Sequence, residues 1–277
     1  MEMKQNPFSL YDFLGYFVPG ALFLMGMVAI PLISSPYTTM VTKVIEQLHL
    51  NDVGFYLPFI LIAYLIGHIL SFVSSVTLEN YSVWRVGYPS KYLLGVPYPK
   101  YFDFTEYKTS RILIRTLVGI FLVPIVLWDL LGNFVNLKDL LYARPLDPIL
   151  MELLRSKIKI LAQKKYSGLE LKVIDMRKTD LFRFAYHFVV EKSTSHLPKM
   201  QNYVALYGFA RTNTLVMIVW FWLISFQIFF NGIGVINGLI FLSSLSILAF
   251  ISYLNFMKFY RRFTLEVLMA LSVVINE

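Results

Sequence analysis

From Thr212 to Met257 the chain runs 46 residues without an Asp, Glu, Lys or Arg. A hydrocarbon layer about 30 Å thick takes roughly 20 apolar helical residues per crossing, so the run holds two crossings. Asn231, Gly232, Gly234, Asn237 and Gly238 sit at its middle, where a turn between them belongs. Two further apolar stretches precede it. The first, Leu14–Ser34, has Pro19-Gly20 near its start and Pro31 near its end, where proline removes few helical hydrogen bonds. The second, Gly54–Val76, carries a single ionisable residue, His68, at its centre. Between them, Ser35–Val53 with Lys43, Glu46 and Asp52 reads as a short polar loop.

Thr77–Arg111 is aromatic, mixed in charge and broken by Gly87-Tyr88-Pro89 and Val96-Pro97-Tyr98-Pro99, and it reads as irregular chain at headgroup level. Ile112–Gly132 is apolar enough to span but holds Arg115, Asp129 and a central Pro124. It can cross, lie along the interface, or enter and turn back at the proline. In the middle region Asp147-Pro148 is a helix start, and Leu150, Leu154, Ile158 and Leu161 follow at helical spacing, with Ser167-Gly168 as the stop. A second helix starts at Thr179-Asp180 and gathers Leu181, Phe184 and Phe188 on one face. A third starts at Ser193–Ser195 and is expected to run through Tyr203, Tyr207 and Arg211 directly into the next span.

The expected fold is therefore all-α and membrane-integral: four transmembrane helices, a fifth re-entrant, interfacial or spanning segment, and a small cytoplasmic helical bundle. The corresponding regions are an N-terminal hairpin (1–76), an aromatic and re-entrant or spanning segment (77–135), a basic helical region (136–213) and a C-terminal hairpin with a basic tail (214–277). Composition agrees, with 57% hydrophobic residues and 15% charged, against about 25% charged in soluble domains. The five residues Met1–Gln5 are too short for a signal-peptide n-region, so the first apolar stretch is expected to be retained. The absence of cysteine excludes disulfides, thiol catalysis and palmitoylation.

The net charge of +8 becomes informative once it is placed along the chain. Residues 136–213 hold 14 Lys or Arg against 7 Asp or Glu. With Ile112–Gly132 turned back, 23 of the 25 basic residues fall on one side of the membrane, leaving Lys43 opposite and Arg115 inside the segment. The positive-inside rule then places both termini and the basic region in the cytoplasm.

Candidate chemistry is sparse. His68 shares a helical stripe with Tyr64, Ser71 and Ser75, a pattern for gating, proton relay or interhelical hydrogen bonding. Arg115 and Asp129 lie about 21 Å apart on a straight helix, so pairing them requires the segment to fold back. Ser243, Ser244 and Ser246, with Gly232, Gly234 and Gly238, offer close packing or a pore lining. Lys157, Lys159, Lys164, Lys165, Lys172, Arg177 and Lys178 form a basic cluster suited to anionic lipid more than to nucleic acid. Arg183 and His187, one turn apart, could serve RNA cleavage, but Phe182, Phe184 and Phe188 around them suit a packing face. Neither a metal site nor a cofactor motif is present, and no enzyme is expected.

Leu10-Tyr11-Asp12-Phe13-Leu14-Gly15-Tyr16 with Pro19-Gly20, then Gly67-His68, Glu79, Gly87-Tyr88-Pro89-Ser90 and Tyr207–Arg211, resemble multi-pass proteins of bacterial anti-phage defence clusters. That resemblance implies an effector similar in kind to the membrane accessory proteins of RNA-targeting CRISPR systems, which oligomerise and compromise the inner membrane. The expected function is a non-enzymatic, homo-oligomeric pore or membrane-perturbing effector, with Tyr207 and Arg211 on a helix coupling the cytoplasmic region to the last hairpin. A scaffold that anchors a cytoplasmic protein partner without conducting is the alternative, and a membrane-tethered RNase the third.

Overall fold

A computed structural model describes residues 12–32, 37–48, 53–98, 101–102, 108–134, 136, 141–165, 180–193, 195–230 and 235–274. Among these every regular element is helical. The first helix, α1 (Phe13–Leu32), opens with a π turn, Phe13–Phe17, and closes with a 3₁₀ turn, Ile30–Leu32. Then come α2 (Tyr37–Gln47), α3 (Tyr56–Ser74), a second π turn (Ser75–Glu79), α4 (Asn80–Val86) and α5 (Pro89–Tyr92). The bent pair α6 (Thr109–Phe121) and α7 (Val123–Phe134) leads to α8 (Pro148–Lys165) and α9 (Leu181–Lys192). Two long helices, α10 (Leu197–Phe230) and α11 (Val235–Val274), complete the chain. Four stretches are long and apolar enough to cross a membrane: Phe13–Leu32, Val53–Tyr92, Leu197–Phe230 and Val235–Val274.

Two expectations are corrected. The polar loop Ser35–Val53 contains α2, because Tyr37, Val41, Val44 and Ile45 keep a helical spacing among the polar residues. The stretch from Thr77 is not irregular but helical up to Val86. Its polar side chains turn back on the helix instead of ending it. Thr77 Oγ1 donates to the Val73 carbonyl at 2.8 Å and Asn80 Nδ2 to that of Val76 at 2.8 Å. The helix stops at Gly87, whose φ of 83° is the left-handed conformation glycine adopts without strain, and Pro89 then opens α5. The expected stop at Ser167-Gly168 and the glycines Gly232 and Gly234 lie outside the described residues.

The contacts divide the chain into two compact units, each assembled from three separate stretches. The first unit comprises 1–80, 115–131 and 205–256. In it α1 and α3 approach at backbone contact. A Cβ on Gly20 would overlap the Ala63 carbonyl, and one on Gly67 would overlap the Tyr16 backbone. Ala63 and Gly67, four apart, thus form a small-residue face against which Tyr16 and Gly20, also four apart, are seated. In α10, six consecutive residues, Arg211–Val216, are buried, so the helix is surrounded at that level.

The second unit comprises 81–114, 132–204 and 257–277. Its core gathers Leu93, Leu94 and Val96 with Leu154, Ile158 and Leu161 of α8, Ala185 and Val189 of α9, Met200 of α10, and Val267, Leu268 and Leu271 of α11. Asp147 caps α8 as its sequence suggests, its carboxylate accepting the Ile149 amide at 2.9 Å. Phe184 and Phe188 pack against this core, and α10 runs unbroken from Leu197 through Tyr207 and Arg211.

Candidate functional site

The site is a buried polar layer in the first unit, built on the π turn that follows α3. Ser71 and Ser74 come one turn apart at the end of α3, and Glu79 closes the π turn. In a regular α-helix Glu79 would lie about 140° around the axis from Ser74. The extra residue held by the π turn swings it back toward that face. Such turns, inserted in α-helices, recur at functional sites. The carbonyls around this one are taken up locally: Ser74 Oγ donates to Ser71 O at 2.8 Å and Ser75 Oγ to Phe72 O at 2.7 Å.

Arg211 of α10 occupies that face. Its Nη1 pairs with the Glu79 carboxylate, its Nε donates to Ser74 Oγ at 3.1 Å, and its Nη2 reaches Ser71 O at 3.4 Å and Ser71 Oγ at 3.5 Å. The arginine side chain is 10% exposed and the glutamate 27%. Charges taken this far from water stand only when paired and hydrogen-bonded, and here one guanidinium uses all three nitrogens on one neighbouring helical run.

The layer continues around α10. Thr212 and Thr214 are fully buried and donate to the Gly208 and Ala210 carbonyls at 2.9 and 2.8 Å. Ser252 of α11 also donates to Ala210 O, at 3.0 Å. Asn213 is buried, and its Oδ1 has no hydrogen-bond partner among the described residues. Tyr207 packs its ring against Phe256 of α11 at 6.3 Å.

The His68 stripe separates into two groups. Ser71 meets Arg211, whereas Ser75 serves its own helix. The His68 ring stacks on Tyr16 of the first π turn, centroids 3.8 Å apart and planes 17° from parallel, with the edge of Tyr64 at 4.6 Å. His68 is otherwise exposed.

Arg115 and Asp129 are both buried, on opposite sides of a 98° bend between α6 and α7. The bend falls at Leu122, beside the expected Pro124, and its open carbonyls are claimed by side chains from the last two helices. Trp222 Nε1 donates to Phe121 O at 2.8 Å, and Ser246 Oγ to Pro124 O at 2.7 Å while accepting from Trp128 Nε1 at 2.9 Å. Of the three serines predicted to line a packing face or pore, Ser246 is the one buried here, and Ser243 and Ser244 are exposed.

In comparisons with protein-family models, with curated proteins and with solved structures, nothing matches this chain.

Elsewhere the predicted constellations disperse. Lys157 donates to the Ser272 carbonyl and so ties α8 to α11, and Lys159 is half-buried. Of the side chains of Lys164, Lys165, Lys172, Arg177 and Lys178 nothing is described. Arg183 and His187 are both exposed on α9, the first paired with Asp180 at 3.5 Å and the second beside the Tyr186 ring. Among the described residues no cluster of three metal-ligating side chains occurs.

One ionic cluster had no sequence signal. Glu266 of α11 accepts from Lys199 of α10 at 2.6 Å and meets His196 Nδ1 at 2.9 Å. It lies in the second unit, beyond the uncharged run and past Lys258, Arg261 and Arg262. Burial pushes its carboxyl up, but the hydrogen bonds from Lys199 and His196 outweigh that and hold it below the ordinary glutamate range. The same bond to Glu266 raises Lys199.

Proposed function

We propose that this chain is a multi-pass protein of the bacterial inner membrane that acts without catalysis, as an oligomeric, membrane-perturbing effector of anti-phage defence. Its second unit and both termini face the cytoplasm. The observation that carries this reading is the Arg211–Glu79 pair. Ionisable groups on membrane helices are costly and mark working sites by default, and this pair joins two of the four apolar helical runs. The orientation is supported by the 23 basic residues that fall on one side when the bent pair α6–α7 turns back. The defence role is supported by the resemblance of Leu10–Tyr16, Gly67-His68, Glu79 and Tyr207–Arg211.

The mechanism follows from the path of α10, which starts among residues of the helical bundle and carries Arg211 to Glu79. At rest the pair holds α10 to the π turn, and the membrane stays tight. A partner engaging the bundle shifts α10, separates the charges and loosens the helices. Expression in bacteria with a potential-sensitive dye tests this. Arg211→Ala is expected to depolarise cells that the wild type leaves polarised, and the exchange Glu79→Arg with Arg211→Glu to restore the potential. Full polarisation by the inserted, folded Arg211→Ala protein rejects the effector reading in favour of a scaffold.

A further inference from the structure

The outward face of α3 is patterned in a way that lipid does not require. The most exposed apolar residues of the helix are Leu57, Leu61, Leu65 and Phe72, at 65, 59, 62 and 69%. They fall at steps of four, four and seven, and His68 fills the gap in the last step. The result, Leu61, Leu65, His68, Phe72, is the alternating four-three spacing of a helix–helix seam. His68 stands at one seam position, exposed, with one ring face on Tyr16 and its edge near Tyr64. No hydrogen bond to its nitrogens occurs among the described residues.

That residue decides what covers the face. A serine turned to lipid can bond its own helix, as Ser75 does to Phe72. An imidazole on a regular helix has no such outlet, and in hydrocarbon its N–H and its lone pair both lack partners. A neutral imidazole carries one donor and one acceptor, so it is complementary to another copy of itself. Around a twofold axis along the membrane normal, a central residue of a seam meets its own symmetry mate. One polar residue at such a position sets register at some cost in stability.

We propose that the Leu61, Leu65, His68, Phe72 face of α3 is the site where a second copy of this chain docks, in parallel, with the two His68 side chains hydrogen-bonded to each other at the dimer axis. This rests on the membrane reading above and names the interface that its oligomer uses. Tyr16 stacks on the outer side of each imidazole and holds its plane, which makes the π turn of α1 part of the interface.

The natural absence of cysteine makes the test direct. Leu65→Cys and His68→Cys are introduced singly and oxidised with copper phenanthroline in native membranes, beside Leu248→Cys and Ile251→Cys on the exposed face of α11. Disulfides need Cα atoms within about 7 Å, so the α3 variants are expected to give dimers and the α11 controls to stay monomeric. In the Leu65→Cys background, His68→Leu is expected to cut the cross-linked fraction several-fold and His68→Asn to retain most of it. Cross-linking at α11 but not at α3 overturns the interface, as does a membrane-embedded protein that cross-links at neither. A chain that alkaline carbonate strips from the membrane overturns the membrane reading itself, and the interface with it.

Discussion

At the scale of single residues, Arg211 and Glu79 dominate. Each compensates the other away from water, so removing one leaves an uncompensated charge at a cost of about 3–5 kcal/mol, while replacing both by apolar residues of similar size is close to neutral. Arg211→Met and Glu79→Leu are therefore each expected to be strongly destabilising and their combination much less so. A double-mutant cycle on unfolding in mixed detergent micelles checks this, and additive losses would show that the pair is not coupled. Glu266 gives a second prediction, with a defined sign. Its carboxyl is held below the ordinary glutamate value, so its stabilising contribution is complete above that value, about 4.3, and is lost as pH falls through the lower folded-state value. Thermal unfolding of Glu266→Gln against the wild type should show a deficit at pH 7 that closes at strongly acidic pH. The Lys199 contribution has the opposite sense, present below the ordinary lysine value and lost above the raised one.

At the scale of elements, the glycines of the first hairpin separate close packing from mere helix content. Gly67 and Gly20 have backbone atoms of the opposite helix where a Cβ would stand, whereas a Cβ at Gly15 meets nothing within 4 Å. Gly67→Val and Gly20→Val are expected to part α1 from α3 and lose several kcal/mol, as overpacking at a rigid contact does. Gly15→Ala should be tolerated, and detergent-unfolding midpoints compare the three. The same elements show what the sequence carries. The lengths of the apolar runs, the Asp147-Pro148 start and the continuity of α10 follow from local pattern and were legible. The partner of Arg211 was not, because it depends on a π turn. Drawn at 3.6 residues per turn, Glu79 lies about 20° from His68 and about 140° from Ser74, and the added residue at Ser75–Glu79 turns it off the His68 stripe and onto the Ser71 and Ser74 face that Arg211 meets. The hidden work of Ser246 and Trp222 at the α6–α7 bend has the same origin: both answer carbonyls opened by a break far away in sequence.

For the whole molecule, four helical runs are long and apolar enough to cross a membrane, and the second unit is a compact body with its own core. The basic cluster expected to meet lipid is partly spent on that body, as the bond from Lys157 to Ser272 shows. In the proposed effector, one largely buried ion pair, Arg211 with Glu79, keeps a membrane-embedded assembly closed. Current through planar bilayers containing purified protein at matched density measures this most directly. The wild type is expected to be quiet, Arg211→Ala to conduct steadily, and Glu79→Arg combined with Arg211→Glu to be quiet again. Folded, inserted Arg211→Ala that conducts no more than the wild type would contradict this role of the pair.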